Sequence, residues 1–131
     1  MYRWVDHTAE VELEIEAGTE EAVFAEALRA LAELLGVGSG DAGVSRRALA
    51  VSAPDRAALL AAWLEELVFL AESDGFVAQR IESIELTADA IDGTVSGVVG
   101  EPRPLVKAVT YHRLSFERAA DGYVASVVLD V

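Results

Sequence analysis

The chain has 131 residues, 53% of them apolar, with no cysteine and a formal net charge of −13. That length and apolar content suit one domain with a real core and argue against disorder, and the missing cysteines exclude disulfides, thiolate metal sites and a cysteine nucleophile. The acidity works against the phosphate-neutralising surface that nucleic-acid binders need, so direct RNA binding is not expected. A protein partner, a divalent cation or plain solubility accounts better for the charge.

The chain opens with "MYRWVDHTAE", which lacks the apolar run of a secretion signal. No apolar run reaches the roughly 18 residues that cross a bilayer, so a cytoplasmic protein with no membrane contact is expected. From Glu10 to Ala17 apolar and acidic residues alternate. Strict period-2 alternation predicts an antiparallel strand with Val11, Leu13, Ile15 and Ala17 inside and Glu10, Glu12, Glu14 and Glu16 on a solvated face. The entry to that strand, Asp6-His7-Thr8, holds one of only two histidines in the chain. It reads as a ligand pair, half of a catalytic relay, or a turn.

Thr19 is placed to cap a helix carrying an apolar stripe from Val23 to Leu35, with Glu20 and Glu21 at its positive end and Gly36 as terminator. A glycine-rich loop from Gly36 to Ser45 leads to a short strand near Arg47 to Val51. A second helix starts around Pro54 and Asp55, with Pro54 suited to the first helical position, and stops near Asp74-Gly75. Its apolar arc is wide, so it is expected to be the more buried of the two.

After Phe76 the pattern is β throughout. Asp92-Gly93 is the expected turn between two strands, and the prolines of "EPRPL" break the pattern before a last hairpin. With "AADG" (119–122) as its loop, Arg118 pairs with Tyr123, Phe116 with Ala125 and Leu114 with Val127. That register sets Asp130 across from Tyr111, with Lys107 of the same parity, and puts His112 on the apolar side near Leu129. The order strand, helix, strand, helix, then four strands predicts a single α+β domain over 1–131, mostly antiparallel sheet with the two helices packed on one face.

No nucleophile elbow, phosphate loop or dinucleotide fingerprint is present. Of ten basic residues nine are arginine, which singles out Lys107. The Asp130 side chain and the Val131 α-carboxylate would make a pair of hard oxygen donors if the end of the chain is tied to the sheet; a third carboxylate would complete a site for Ca²⁺ or another oxygen-seeking ion. A frayed, solvated end is the plainer alternative.

Three segments together resemble the archease family: "DHTAEVELEIEAGTEEAVFAEALRALAELL", "LLAAWLEELVFLAESDGFVAQRIE" and "VKAVTYHRLSFE…GYVASVVLDV". They cover nearly the whole chain in order, and "DHTA", "KAVTYH" and a terminal "DV" are jointly specific. The resemblance implies a small α+β domain without catalysis of its own, a protein cofactor of the RtcB-type tRNA-splicing RNA ligase that promotes guanylylation of the ligase and multiple turnover. It implies a divalent ion held by Asp6, Asp130 and Val131, calcium first with magnesium or manganese as the alternatives, and a functional role for Lys107. It also directs attention to His7 as a turn or partner contact and to Tyr111 and His112, the last two residues of "KAVTYH". The chain departs from the family in reading Glu10-Val11-Glu12 where Asp-Val-Gly is common, and in its short "GEPRPLV" segment. Two readings compete: a chaperone-like modulator of a tRNA-modifying enzyme such as a methyltransferase, and a stand-alone metal-dependent hydrolase using Asp6 and His7.

Overall fold

A computed structural model describes residues 1–36 and 43–131; most of the expected glycine-rich loop lies outside the described residues. The protein is α+β, with strands β1 (Tyr2–His7) and β2 (Glu10–Ala17), helix α1 (Glu20–Leu35), strand β3 (Val44–Ser52), helix α2 (Arg56–Asp74), and strands β4 (Phe76–Leu86), β5 (Ala90–Val99), β6 (Ala108–Ala119) and β7 (Gly122–Asp130). All strand pairings are antiparallel.

The strands form two sheets where one was expected: a first of order β1-β2-β7-β6 and a second of order β3-β5-β4. The helices are shared between them. Helix α1 packs on β2 and on β4, and α2 packs on β6 and on β3 and β4. The cause is the breadth of the apolar surface of α2. Leu59, Leu60, Trp63, Leu64, Leu67 and Val68 are all buried, and one sheet face cannot cover so wide an arc. Trp63 packs edge-on against Phe24 of α1, and its indole N–H donates to the Phe24 carbonyl at 3.1 Å.

Both helix starts follow their caps. The Thr19 hydroxyl accepts from the Ala22 N–H at 3.1 Å, and the Asp55 carboxylate accepts from the Ala58 N–H at 2.8 Å. Pro54 therefore stands one residue before the cap and not at the first helical position, because Asp55 supplies the capping carboxylate. Gly75 ends α2 in the left-handed region at φ 67°, where a side chain would be strained.

The β4–β5 turn is at residues 87–89, not at Asp92-Gly93. Gly93 is inside β5 because the chains approach closely there: a Cβ would overlap the Ser83 carbonyl oxygen of β4. The first strand, β1, is an addition to the expected order. Tyr2 and Trp4 pack partly against the core, but its six residues mix aromatic, basic and acidic side chains at a sheet edge, so the period-2 signal is faint.

Candidate functional site

The segments singled out by the sequence meet at one end of the first sheet. His7 pairs with Glu10 across a two-residue Thr8-Ala9 loop, with Ala9 in the left-handed region at φ 59°. The Val131 N–H donates to the Ala9 carbonyl at 3.3 Å, so the end of β7 is tied to this loop and is not frayed. On the other side the Lys107 N–H donates to the Asp130 carbonyl at 2.8 Å. Backbone hydrogen bonds thus gather Asp6, His7, Lys107, Asp130 and Val131 at one tip.

The strand register divides these residues between two faces. Asp6 pairs with Val11, which pairs with Leu129; His7 pairs with Glu10, which pairs with Asp130, opposite Ala108. Directly paired residues share a face and neighbours along a strand alternate. Asp6 is therefore on the helix side of the sheet and Asp130 on the far side, with Asp6 exposed and Asp130 and Val131 half-buried. The donors have the all-oxygen chemistry that suits calcium, and in that sense the tip fits the ion. Among the described residues no three His, Asp or Glu side chains form a metal-holding group by themselves. Val131 lies just past the last rung, with its N–H on the Ala9 carbonyl.

The expected pairing of Tyr111 with Asp130 is replaced. The hairpin keeps Arg118 opposite Tyr123 and Phe116 opposite Ala125, with Ala120-Asp121 as a two-residue loop in place of the four residues expected. The ladder then breaks: Ser115 pairs with Ser126 but Thr110 pairs with Val128, so four residues, 111–114, stand opposite Val127 alone. Leu114 consequently loses Val127 as its partner. Arg113 sits in the bulge at φ 57°, His112 is exposed and away from the apolar position expected near Leu129, and Tyr111 reaches to α2, its hydroxyl 3.4 Å from a Glu65 carboxylate oxygen. Burial, the Glu65 charge and that hydrogen bond push the Tyr111 phenol above its ordinary value.

The bulge also builds a polar cluster that the alternation pattern reads as plain solvated surface. Glu12, its side chain only 15% exposed, lies 3.7 Å from the Arg113 guanidinium. It accepts from the Ser126 hydroxyl at 2.6 Å and sits 3.0 Å from His7 Nε2. The Ser126 hydrogen bond above all, then His7 and Arg113, holds the Glu12 carboxyl below its ordinary value against the cost of burial. One residue from each of β1, β2, β7 and β6 meets here. Period-2 reading puts both Ser126 and Arg113 on this face; what no local signal reveals is the bulge between Thr110 and Ser115.

The Ser126 hydroxyl donates to the Glu12 carboxylate and not to the His7 imidazole, so this cluster lacks the serine–histidine contact of a Ser-His-Asp relay.

Residues 2–131 match the archease protein family (MTH1598/TM1083). The chain is 30% identical over 139 residues to the protein archease of Methanosarcina acetivorans, covering 99% of this chain and 95% of that one. It is 33% identical over 137 residues to the protein archease of Methanopyrus kandleri, covering 97% and 96%. Its fold is similar to the solution structure of Methanobacterium thermoautotrophicum protein 1598 (TM-score 0.75, 25% identity, 99% and 98% covered). It is also similar to the crystal structure of an archease, described as a possible chaperone, from Thermotoga maritima (TM-score 0.72, 21% identity, 100% and 98% covered). With its whole described fold and nearly its whole length accounted for in this way, the chain belongs to the archease family.

Proposed function

We propose that this protein is an accessory factor, without catalysis of its own, for an RtcB-type RNA ligase in tRNA splicing and RNA repair, promoting guanylylation of the ligase and its multiple turnover. The observation that carries the reading is the family match across residues 2–131. The charge supports it: a surface of net charge −13 suits a basic protein partner and repels RNA. The architecture supports it as well, since the tip presents Asp6 and Lys107 exposed, with Asp130 half-buried, on a hydrogen-bonded base.

Asp6, Asp130 and a main-chain oxygen of Val131 would hold a divalent cation, with calcium the ion that such donors favour over magnesium or manganese. When bound, that cation supplies positive charge to an otherwise anionic tip. Lys107, its backbone amide tied to Asp130, brings an exposed cationic side chain to the same tip. Tyr111 and His112 lie on the adjoining bulge, and His7, tied to Glu12, holds the end of the strand that carries Asp6.

The test combines purified protein, the ligase, GTP and a broken RNA in single- and multiple-turnover formats. Wild-type protein is expected to raise turnover, and Asp6→Ala and Lys107→Ala to abolish at least about nine-tenths of that stimulation, the size expected from losing one charge-assisted contact. Calorimetric Ca²⁺ titration of the isolated protein, with binding lost in Asp6→Ala, reads the ion separately. Unchanged stimulation by both variants would overturn the site. If the ligase is unaffected but a tRNA methyltransferase is kept soluble, the chaperone-like reading takes its place.

A further inference from the structure

Helix α2 leaves one large apolar side chain in solvent. Phe69 is 58% exposed, on a stripe whose other members are carboxylates: Glu65 one turn before it and Glu72 one turn after it are also exposed. Every other large apolar residue of α2 is buried. Opposite Phe69 runs the start of β6, and the two enclose a groove of about 260 Å³ between Glu65, Phe69 and Glu72 on the helix and Lys107, Ala108 and Val109 on the strand. Beyond Val109 the bulge adds Tyr111, itself 58% exposed and held toward the helix by Glu65. Toward the other end the groove continues, through the shared walls Val68 and Glu72, into a cavity of about 320 Å³ under Pro102 and Pro104.

We propose that this groove docks a basic segment of a protein partner, which seats an apolar side chain between Phe69 and Tyr111 and sets arginine or lysine against Glu65 and Glu72. The charge decides among occupants. Two carboxylates rim the groove and only Lys107 among its lining residues is cationic, so a phosphate backbone is repelled. A second copy of the chain would bring another −13 of charge to the same place. A basic, partly apolar segment satisfies both features, and exposed aromatics beside a pocket are the usual anchors of protein interfaces. The groove is continuous with the tip, because Lys107 lines it and also donates its amide proton to Asp130. The assignment rests on the accessory-factor reading in one respect: that reading names the ligase as the partner carrying the segment.

Phe69→Glu and Glu72→Lys change exposed side chains, and circular dichroism with thermal melting verifies that both variants fold. Anisotropy titration of the labelled protein with the ligase should show the Kd for Phe69→Glu raised about tenfold or more, the loss typical of a truncated interface anchor. Glu72→Lys should weaken binding more at low salt than at high salt. Unaltered ligase affinity in both variants, with wild type active, overturns the groove and leaves the accessory reading standing. If wild type neither binds nor stimulates the ligase, the accessory reading fails and the groove is judged by a peptide. An amide-shift titration then uses a twelve-residue Arg/Leu peptide and its Glu/Leu counterpart. Shifts for the basic peptide confined to residues 65–72 and 105–112, and lost in Phe69→Glu, support the groove. Shifts spread over the acidic surface, equal binding of the two peptides, or a wild-type dimer that Phe69→Glu dissolves each overturn it.

Discussion

Glu12 shows how one carboxylate can fasten a sheet end. It pairs on its strand with Val5 and Val128, yet its oxygens reach Ser126, His7 and Arg113 on three other strands. Its folded pKa is held below the ordinary value of 4.5, so its charge stabilises the fold above that pH. The contribution fades as pH falls from about 4.5 through the lower folded value. Glu12→Gln keeps the shape and loses the charge. At pH 7 it should melt below wild type by an amount corresponding to about 1–2 kcal/mol, the scale of charge-assisted hydrogen bonds in a half-buried site. As pH falls through the lowered folded value the gap should narrow, because wild-type Glu12 then becomes protonated as well. Paired melting curves from pH 7 to pH 3 measure this, and a gap that stays constant with pH would show that packing, not charge, is what Glu12 supplies.

Among the elements, the bulge in β6 most alters what the tip presents. It carries Arg113 into the left-handed region at φ 57°, a conformation that costs a non-glycine residue about 1 kcal/mol, and the guanidinium there reaches Glu12. Arg113→Ala keeps the strain and loses the ion pair, so it should destabilise by about 0.5–1 kcal/mol. Arg113→Gly loses the same pair but removes the strain, and should be more stable than Arg113→Ala by up to about 0.5 kcal/mol after the entropy that glycine adds to the unfolded chain. Urea unfolding of the two variants side by side checks the order. This bulge also marks where sequence reading stops. Local rules locate Thr19, Asp55, Gly36 and Gly75 at the helix ends, and the alternation of β2 and the Arg118–Tyr123 register follow from side-chain parity. Extending that parity past Ser115 fails, because a bulge resets it without any glycine or proline to announce it. The tip itself is legible as residue types, in Asp6, Lys107 and Asp130. Its division between two faces depends on β1 pairing with β2, and the mixed composition of Tyr2–His7 hides that strand. The split into two sheets is set by the helices between them, at a range no periodicity reaches.

At the scale of the whole molecule the question is whether two sheets sharing two helices unfold together. Among the described residues no strand ladder joins the two sheets; the helices do, since α1 touches β2 and β4 while α2 touches β6 and β3. The joint is Trp63, 1% exposed, stacked edge-on against Phe24 with ring centres 6.2 Å apart and hydrogen-bonded to the Phe24 carbonyl. Trp63→Phe removes part of a filled volume and one buried hydrogen bond, which together should cost about 2–4 kcal/mol. The substitution also leaves Trp4, on β1 in the first sheet, as the only tryptophan of the original two. Fluorescence of the variant then reports the first sheet alone, while circular dichroism at 222 nm reports the helices. If the shared core couples the halves, both signals move to the same lower urea midpoint with one common slope. A Trp4 transition that stays behind while the helical signal shifts would show that the first sheet, with Asp6 and Asp130 at its end, stands independently of the helices packed on it.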